Sequence, residues 1–150
     1  MAMKRSERLQ VIERLAKQRE DQAAQALQQA RAQLEQEIKQ LDELADYQRD
    51  YHQSLQASGG GGISIEQWRR TQGFIDQLET VMGRQRGVIQ QWQEQEAKLL
   101  AHWQSLYQRR KTLNQLVEKV SMEELIEADR REQKALDEVV SQMRQRTHSW

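Results

Sequence analysis

The apolar residues of this 150-residue chain recur at helical spacing in two blocks separated by glycine. In the second block, Ile75, Leu78, Met82, Gln85, Ile89, Trp92, Glu96, Leu99, Trp103, Leu106, Arg110, Leu113, Val117 and Val120 fall on one alternating 3-4 repeat. That spacing is the signature of a coiled-coil seam, and Gln85, Glu96 and Arg110 are polar entries of the kind that fix register. The first block holds Leu9, Ile12, Ala16, Ala23, Ala26 and Ala30, with Arg19 as a polar gap, and resumes at Leu34, Leu41, Leu44, Tyr51 and Leu55. Its halves join only if one step is 4 where 3 is due, between Ala26, Ala30 and Leu34. A stutter is therefore predicted there.

Between the blocks stands Ser-Gly-Gly-Gly-Gly at 58–62, a run too costly in backbone entropy for a helix to cross. Ser64 and Gln67 beyond it have the spacing of a capping box. The pattern thus predicts an all-α fold: a long antiparallel two-helix coiled coil, or α-helical hairpin, occupying 1–150 as one domain. Helix 1 takes about 4–57, the glycine turn 58–63 and helix 2 about 64–146. Folding back about the glycines pairs residue i with roughly 121 minus i, which sets Ala16–Ala30 against Trp92–Trp103, small against large. A parallel dimer of extended helices would lose that match, so the free protein is expected to be a monomer.

After Val120 the apolar residues change phase. Either a new helix starts at Ser121, with Glu124 completing a second capping box, or helix 2 continues; the absence of Gly and Pro favours continuation, with a bend near 121. Past about residue 117 helix 1 has run out. Leu125, Leu136, Val139 and Met143 are left as a single stripe, marginal alone, that calls for a partner.

Composition agrees with a narrow seam and no thick core. The hydrophobic fraction is 37%, the charged fraction 31%, and there is one Phe and no Pro; the mean hydropathy is -1.00. No apolar run approaches the roughly 18 residues that cross a bilayer, and the opening MAMKRSERL lacks the apolar segment of a secretory signal. Without cysteine there are no disulfides or thiolate sites. The balance of 23 basic and 23 acidic residues argues against bulk nucleic-acid binding. His52, His102 and His148 are far apart, the glycine run lacks the residues of a phosphate loop, and a two-helix seam offers no concave pocket. Neither enzyme activity, a cofactor nor a metal is expected; the acid pairs Glu123/Glu124 and Glu35/Glu37 suit a solvated face.

Two features stand out from the seam. Basic residues crowd the terminal end: Lys4, Arg5 and Arg8; Arg109, Arg110 and Lys111; Arg130, Arg131, Lys134, Arg144 and Arg146. They suit ordinary surface charge, or a tip that engages an acidic collar on a protein ring. Near the turn, the line Gln40, Leu44, Tyr47, Tyr51 faces Phe74, Leu78, Val81, Gln85, and the 121 rule pairs Tyr47 with Phe74. These residues either widen the seam beside the glycines or leave an apolar patch of Leu44, Tyr47, Phe74 and Val81 for a partner.

The segments LQVIERLAKQREDQAA, LEQEIKQLDELADYQRDY and ISIEQWRRTQGFIDQLE, with the glycine turn and the polar helix to the terminus, resemble the flagellar export protein FliJ family over essentially the whole chain. YQRDY and W-x5-FI are the more specific parts. The resemblance implies an antiparallel coiled coil similar to the central stalk of rotary ATPases, in the cytoplasm and peripherally associated with the inner-membrane export apparatus. It implies three partners: the ring of the export ATPase, the cytoplasmic domain of the membrane export-gate protein, and export chaperones. The family's gate-binding face maps onto Gln40, Leu44, Tyr47, Tyr51, Phe74, Leu78, Val81 and Gln85, where Val81 replaces a commoner alanine and Gln85 a histidine. It gives a task inside the ring to the terminal end, with Lys4, Arg5, Arg130, Arg131 and Lys134 and the stripe Leu125, Leu136, Val139 and Met143. The rival reading is a structural or adaptor coiled coil that self-associates without coupling to an ATPase.

Overall fold

The computed structural model describes residues 2–58 and 62–148. Two helices make up almost all of it: α1, Arg5–Ser58, of 54 residues, and α2, Ile65–His148, of 84 residues. The two pack on each other as an α-helical hairpin. Of the glycine turn expected at 58–63, residues 59–61 lie outside the described residues. Gly62 has φ 93°, a conformation that glycine adopts without strain.

Both helix starts are capped by side chains. At α2, Ser64 Oγ accepts from the Gln67 backbone N–H at 3.2 Å, and the Ser64 carbonyl accepts the first helical bond, from Trp68 N–H at 3.0 Å. At α1 the Lys4 carbonyl accepts from Arg8 N–H at 3.1 Å, while the Glu7 carboxylate reaches back to the Lys4 N–H at 3.3 Å. Each start shows one half of a capping box.

The helices form two compact units. One unites residues up to Asp21 with those from Ser105 onward. Here Ser6 meets Glu124, Glu13 meets Asn114 and Glu20 meets Arg110, so ascending positions on α1 find descending ones on α2. The other unit spans Gln22 to Gln104, where Arg31 meets Glu96, Glu37 meets Gln85, Gln48 meets Glu79 and Tyr51 meets Phe74. Both are antiparallel. Partner numbers sum to 127–130 in the first unit and to 122–127 in the second, counting the bond from Gln48 to the Ile75 carbonyl. The register is displaced from the sum of 121 that apolar counting predicts. Trp103 accordingly falls level with Ala23–Ala26.

The seam of α2 follows the predicted repeat, with Ile75, Met82, Ile89, Val117 and Val120 buried. That of α1 does not. Ser6, Ala16, Glu20, Ala23, Leu27 and Ala30 are its buried residues, and half-buried Leu9, Glu13, Leu34, Glu37, Leu41, Leu44, Gln48 and Leu55 join them. With Tyr51 these positions make one unbroken 3-4 repeat. No stutter interrupts it, Glu20 rather than Arg19 is the polar member, and Leu27 rather than Ala26 carries the repeat. Ile12, expected in the seam, is 45% exposed. The apparent stutter arose from following apolar residues through positions where the seam is polar.

Those polar members are matched across the hairpin. Asn114 donates to Glu13 at 2.7 Å, Arg110 grips Glu20 through both Nε and Nη2, and Arg31 pairs with Glu96 at 3.2 Å. Gln85 donates to the Glu37 carbonyl at 2.9 Å and to its carboxylate, and Gln48 donates to Glu79 at 3.0 Å. A polar group held between helices costs free energy unless it is hydrogen-bonded, so each layer disfavours a slipped register in which its partner would be apolar.

Arg110→Leu should leave the Glu20 carboxylate without its donor and lower stability by about 2–4 kcal/mol. Glu20→Leu should cost less, because an arginine stem can carry its charge to water, and the double leucine variant should recover most of the loss. Thermal melts followed by circular dichroism check this cycle; equal losses in both single variants would place no special burden on the buried carboxylate.

Candidate functional site

Three surfaces result from this seam. The first lies in the unit next to the turn. Gln40 and Tyr47 each stand one residue before a seam position of α1, and Phe74 and Val81 one residue before a seam position of α2. In an antiparallel pair such flanks share a side of the hairpin. All four are exposed, Tyr47 most of the large ones at 61%. Leu44, Leu78 and Gln85 are half-buried seam members. Phe74 does not meet Tyr47, as expected from sequence, but stacks on Tyr51 with ring centroids 6.1 Å apart and an interplanar angle of 18°. The displaced register is the cause. Gln85 is committed to Glu37, and Gln48, beside Tyr47, to Glu79. That bond and the Arg86 guanidinium hold the Glu79 carboxyl below the ordinary glutamate range.

The second surface is the far end of α2. The helix runs unbroken through Ser121, so no new helix begins there, and Glu124 serves the seam rather than a cap. The Ser6 hydroxyl donates to its carboxylate at 2.6 Å and the Ser6 N–H at 3.1 Å. Packing thus extends to Glu124, beyond the limit near 117 that the sum of 121 gave. From Leu125 to His148 every residue is exposed.

Continued past Glu124, the seam repeat would meet Glu127, Arg131, Lys134 and Glu138, which offer α1 nothing apolar. Met122, Leu136 and Met143 lie two residues past a seam position, about 200° around the helix, and Leu125 and Val139 one residue past, about 100° around, at roughly 100° per residue. They therefore face away from the seam. Lys4, Arg5, Arg130, Arg131 and Lys134 are all exposed around this end; Arg131 pairs with Glu127 at 3.6 Å. Lys4, Arg5 and Arg131 line an open groove over Val120 and Ala128.

The third surface is a cleft of about 180 Å³ lined by Ile12, Leu15, Ala16, Arg19, Leu106, Arg109 and Leu113. Sequence reading missed it by placing Ile12 in the seam. Tracing the α1 repeat through Glu13 and Glu20 would have moved Ile12 and Arg19 to the flank.

Among the described residues no group of His, Cys, Asp or Glu could hold a metal ion, and no helix is long and apolar enough to cross a membrane. The surfaces present exposed apolar side chains together with charges.

The Ser6 hydroxyl bond, then its N–H bond, with a smaller contribution from the charges of Lys4 and Arg5, hold the Glu124 carboxyl below the ordinary glutamate range against a modest desolvation. A depressed carboxylate stabilises the folded form above its unfolded value, and the contribution fades as pH falls through the lower folded value. Acidification below about pH 4.3 should therefore loosen the first turn of α1. The protection of amides 6–9, taken relative to their intrinsic exchange rates at each pH, should fall there in the wild type, and Glu124→Gln should remove most of that pH dependence.

Comparison with known proteins places the chain in a family. Residues 4–149 match the profile of the family described as Flagellar FliJ protein. A Flagellar FliJ protein of Salmonella typhi is 31% identical over 130 residues, covering 87% of this chain and 88% of that protein. The Flagellar FliJ protein of Escherichia coli K12 shows the same identity and coverage. No solved structure gives a significant match.

Proposed function

Because the chain belongs to the flagellar FliJ protein family and is a flagellar protein export component, we propose that it acts as a non-catalytic stalk between the export ATPase ring and the membrane export gate. The observation that carries this reading is the α2 segment beyond Glu124: a helix of two dozen residues, exposed throughout, with its apolar stripe turned away from the hairpin and basic residues around it. Such a helix is marginal alone, and insertion in the mouth of a ring would bury the stripe on all sides at once. Lys4, Arg5, Arg130, Arg131 and Lys134 would draw it to an acidic rim, while Leu125, Leu136, Val139 and Met143 would hold it there.

The gate contact falls to the flank near the turn, where Tyr47 and Val81 are exposed apolar anchors next to the Tyr51–Phe74 stack. Gln40, Leu44 and Leu78 would complete the contact, with Gln85 acting by way of Glu37. Export chaperones are proposed as further partners, and the protein is proposed to be cytoplasmic, reaching the membrane only through the gate. A monomer suits this role, since the seam is satisfied within the chain.

The deciding experiment is turnover of the purified export ATPase with added protein. Leu136→Ser with Val139→Ser should abolish stimulation without changing the melting of the hairpin. Reversing Arg130 and Arg131 to Glu should slow association and reduce its salt dependence. Undiminished stimulation by the serine variant would put the ring contact elsewhere, and no stimulation by the wild type would favour an adaptor.

For the gate, Tyr47→Ala and Val81→Ala should each weaken binding by about 1–4 kcal/mol at unchanged stability, as measured by titration calorimetry. Phe74→Ala should lose both binding and stability, because it also removes the stack on Tyr51.

A further inference from the structure

The cleft between Ile12 and Leu113 belongs neither to the exposed end of α2 nor to the flank near the turn. Ala16, a buried seam residue with a short side chain, lines it together with Leu106 and Leu113 of α2. One wall is Ile12, 45% exposed, with Leu15, 53% exposed, and Val11 is exposed beside them. A single exposed leucine is ordinary. Three large apolar residues within five positions, next to a recess in the seam, form a contiguous patch.

Charge narrows the choice of occupant. Arg19 and Arg109 line the same cleft, each one residue before a seam position and exposed, and among the described residues neither forms an ion pair. Glu20, the carboxylate nearest Arg19 in sequence, is already held by Arg110. Over residues 5–21 and 105–120 nine basic side chains stand against five acidic ones, a net of four positive charges in a chain whose formal net charge is zero. The volume of about 180 Å³ admits one large aliphatic or aromatic side chain.

We propose that this cleft is a docking site for an acidic amphipathic helix of a partner protein, which seats a large apolar residue over Ala16 and sets flanking carboxylates against Arg19 and Arg109. Apolar anchors at helical spacing are the usual way a helix lies in a groove, and the paired arginines select the sign of its flanks and its direction. Nucleic acid would use the arginines alone and leave the apolar recess empty.

The test uses the full chain and three fluorescent helical peptides of about 18 residues: one with a leucine stripe bordered by Glu, one of the same composition with the stripe scrambled, and one with the bordering Glu replaced by Lys. By anisotropy at low salt, the acidic amphipathic peptide should bind at least about tenfold more tightly than either control, a difference of about 1.4 kcal/mol. Ile12→Ser with Leu15→Ser should abolish the advantage over the scrambled peptide. Arg19→Glu with Arg109→Glu should transfer the preference to the lysine peptide. Both variants alter exposed flanks, and unchanged melting would verify the fold; the gain of lysine-peptide binding cannot come from unfolding. Leu136→Ser with Val139→Ser should leave peptide binding intact. The proposal is overturned if no peptide binds with Kd below about 1 mM, if the acidic and lysine peptides bind alike, or if binding is lost with the stripe at 136 and 139 instead. Tight binding of a single-stranded oligonucleotide that survives the serine substitutions would assign the arginines to phosphate and overturn it as well.

Discussion

A carboxylate caught between two helices must find a donor on the opposite one, and this requirement sets the register of the hairpin. Glu13, Glu20 and Glu37 are seam residues of α1, and Asn114, Arg110 and Gln85 answer them. Alanine and leucine layers would tolerate displacement by a heptad at modest cost, since one aliphatic contact resembles another. A carboxylate layer does not, because displacement removes a specific partner. With the register so set, the place where α1 begins determines where the seam ends, at Ser6 on Glu124. Everything beyond on α2 is left exposed, and everything one residue to the side of the repeat becomes flank.

The fold class and the α2 seam were legible because an apolar spacing near 3.5 residues, sustained over many turns, keeps one stripe of a helix against a partner helix and suits little else. The α1 seam was legible only where it is apolar. Joining Ala26 to Ala30 and Leu34 manufactured a stutter, and passing over Glu13 and Glu20 put Ile12 in the core. A rule that scores apolar residues cannot see a position held by a hydrogen bond across the pair, although each such position on α1 has a polar counterpart on α2 at the proper distance. The register, which depends on those layers, was displaced for the same reason. It moved Phe74 from Tyr47 to Tyr51.

The candidate surfaces were legible in proportion to their independence from register. The exposed end of α2 outlasts the shift of register because α2 is so much longer than α1; the shift moves only its beginning, from near 117 to past Glu124, and the direction of its stripe follows from the change of phase after Val120. The flank near the turn kept its membership, since Tyr47, Phe74 and Val81 precede seam positions in either register. The cleft over Ala16 was hidden because both Ile12 and Arg19 were assigned to the seam itself. Once they move to the flank, they join Leu15 and Arg109 around a recess that Ala16 also lines.

The register is the claim on which the extent of the free helix and the position of the flanks depend, and a chain without cysteine permits a direct measurement of it. Two paired variants, Ser6→Cys with Glu124→Cys and Ser6→Cys with Gln115→Cys, can be oxidised in dilute solution and the products separated by size. The hydrogen-bonded register predicts a disulfide within one chain for the 6/124 pair and none for the 6/115 pair. An intrachain bond at 6/115, or a 6/124 bond that forms only between chains, would contradict it.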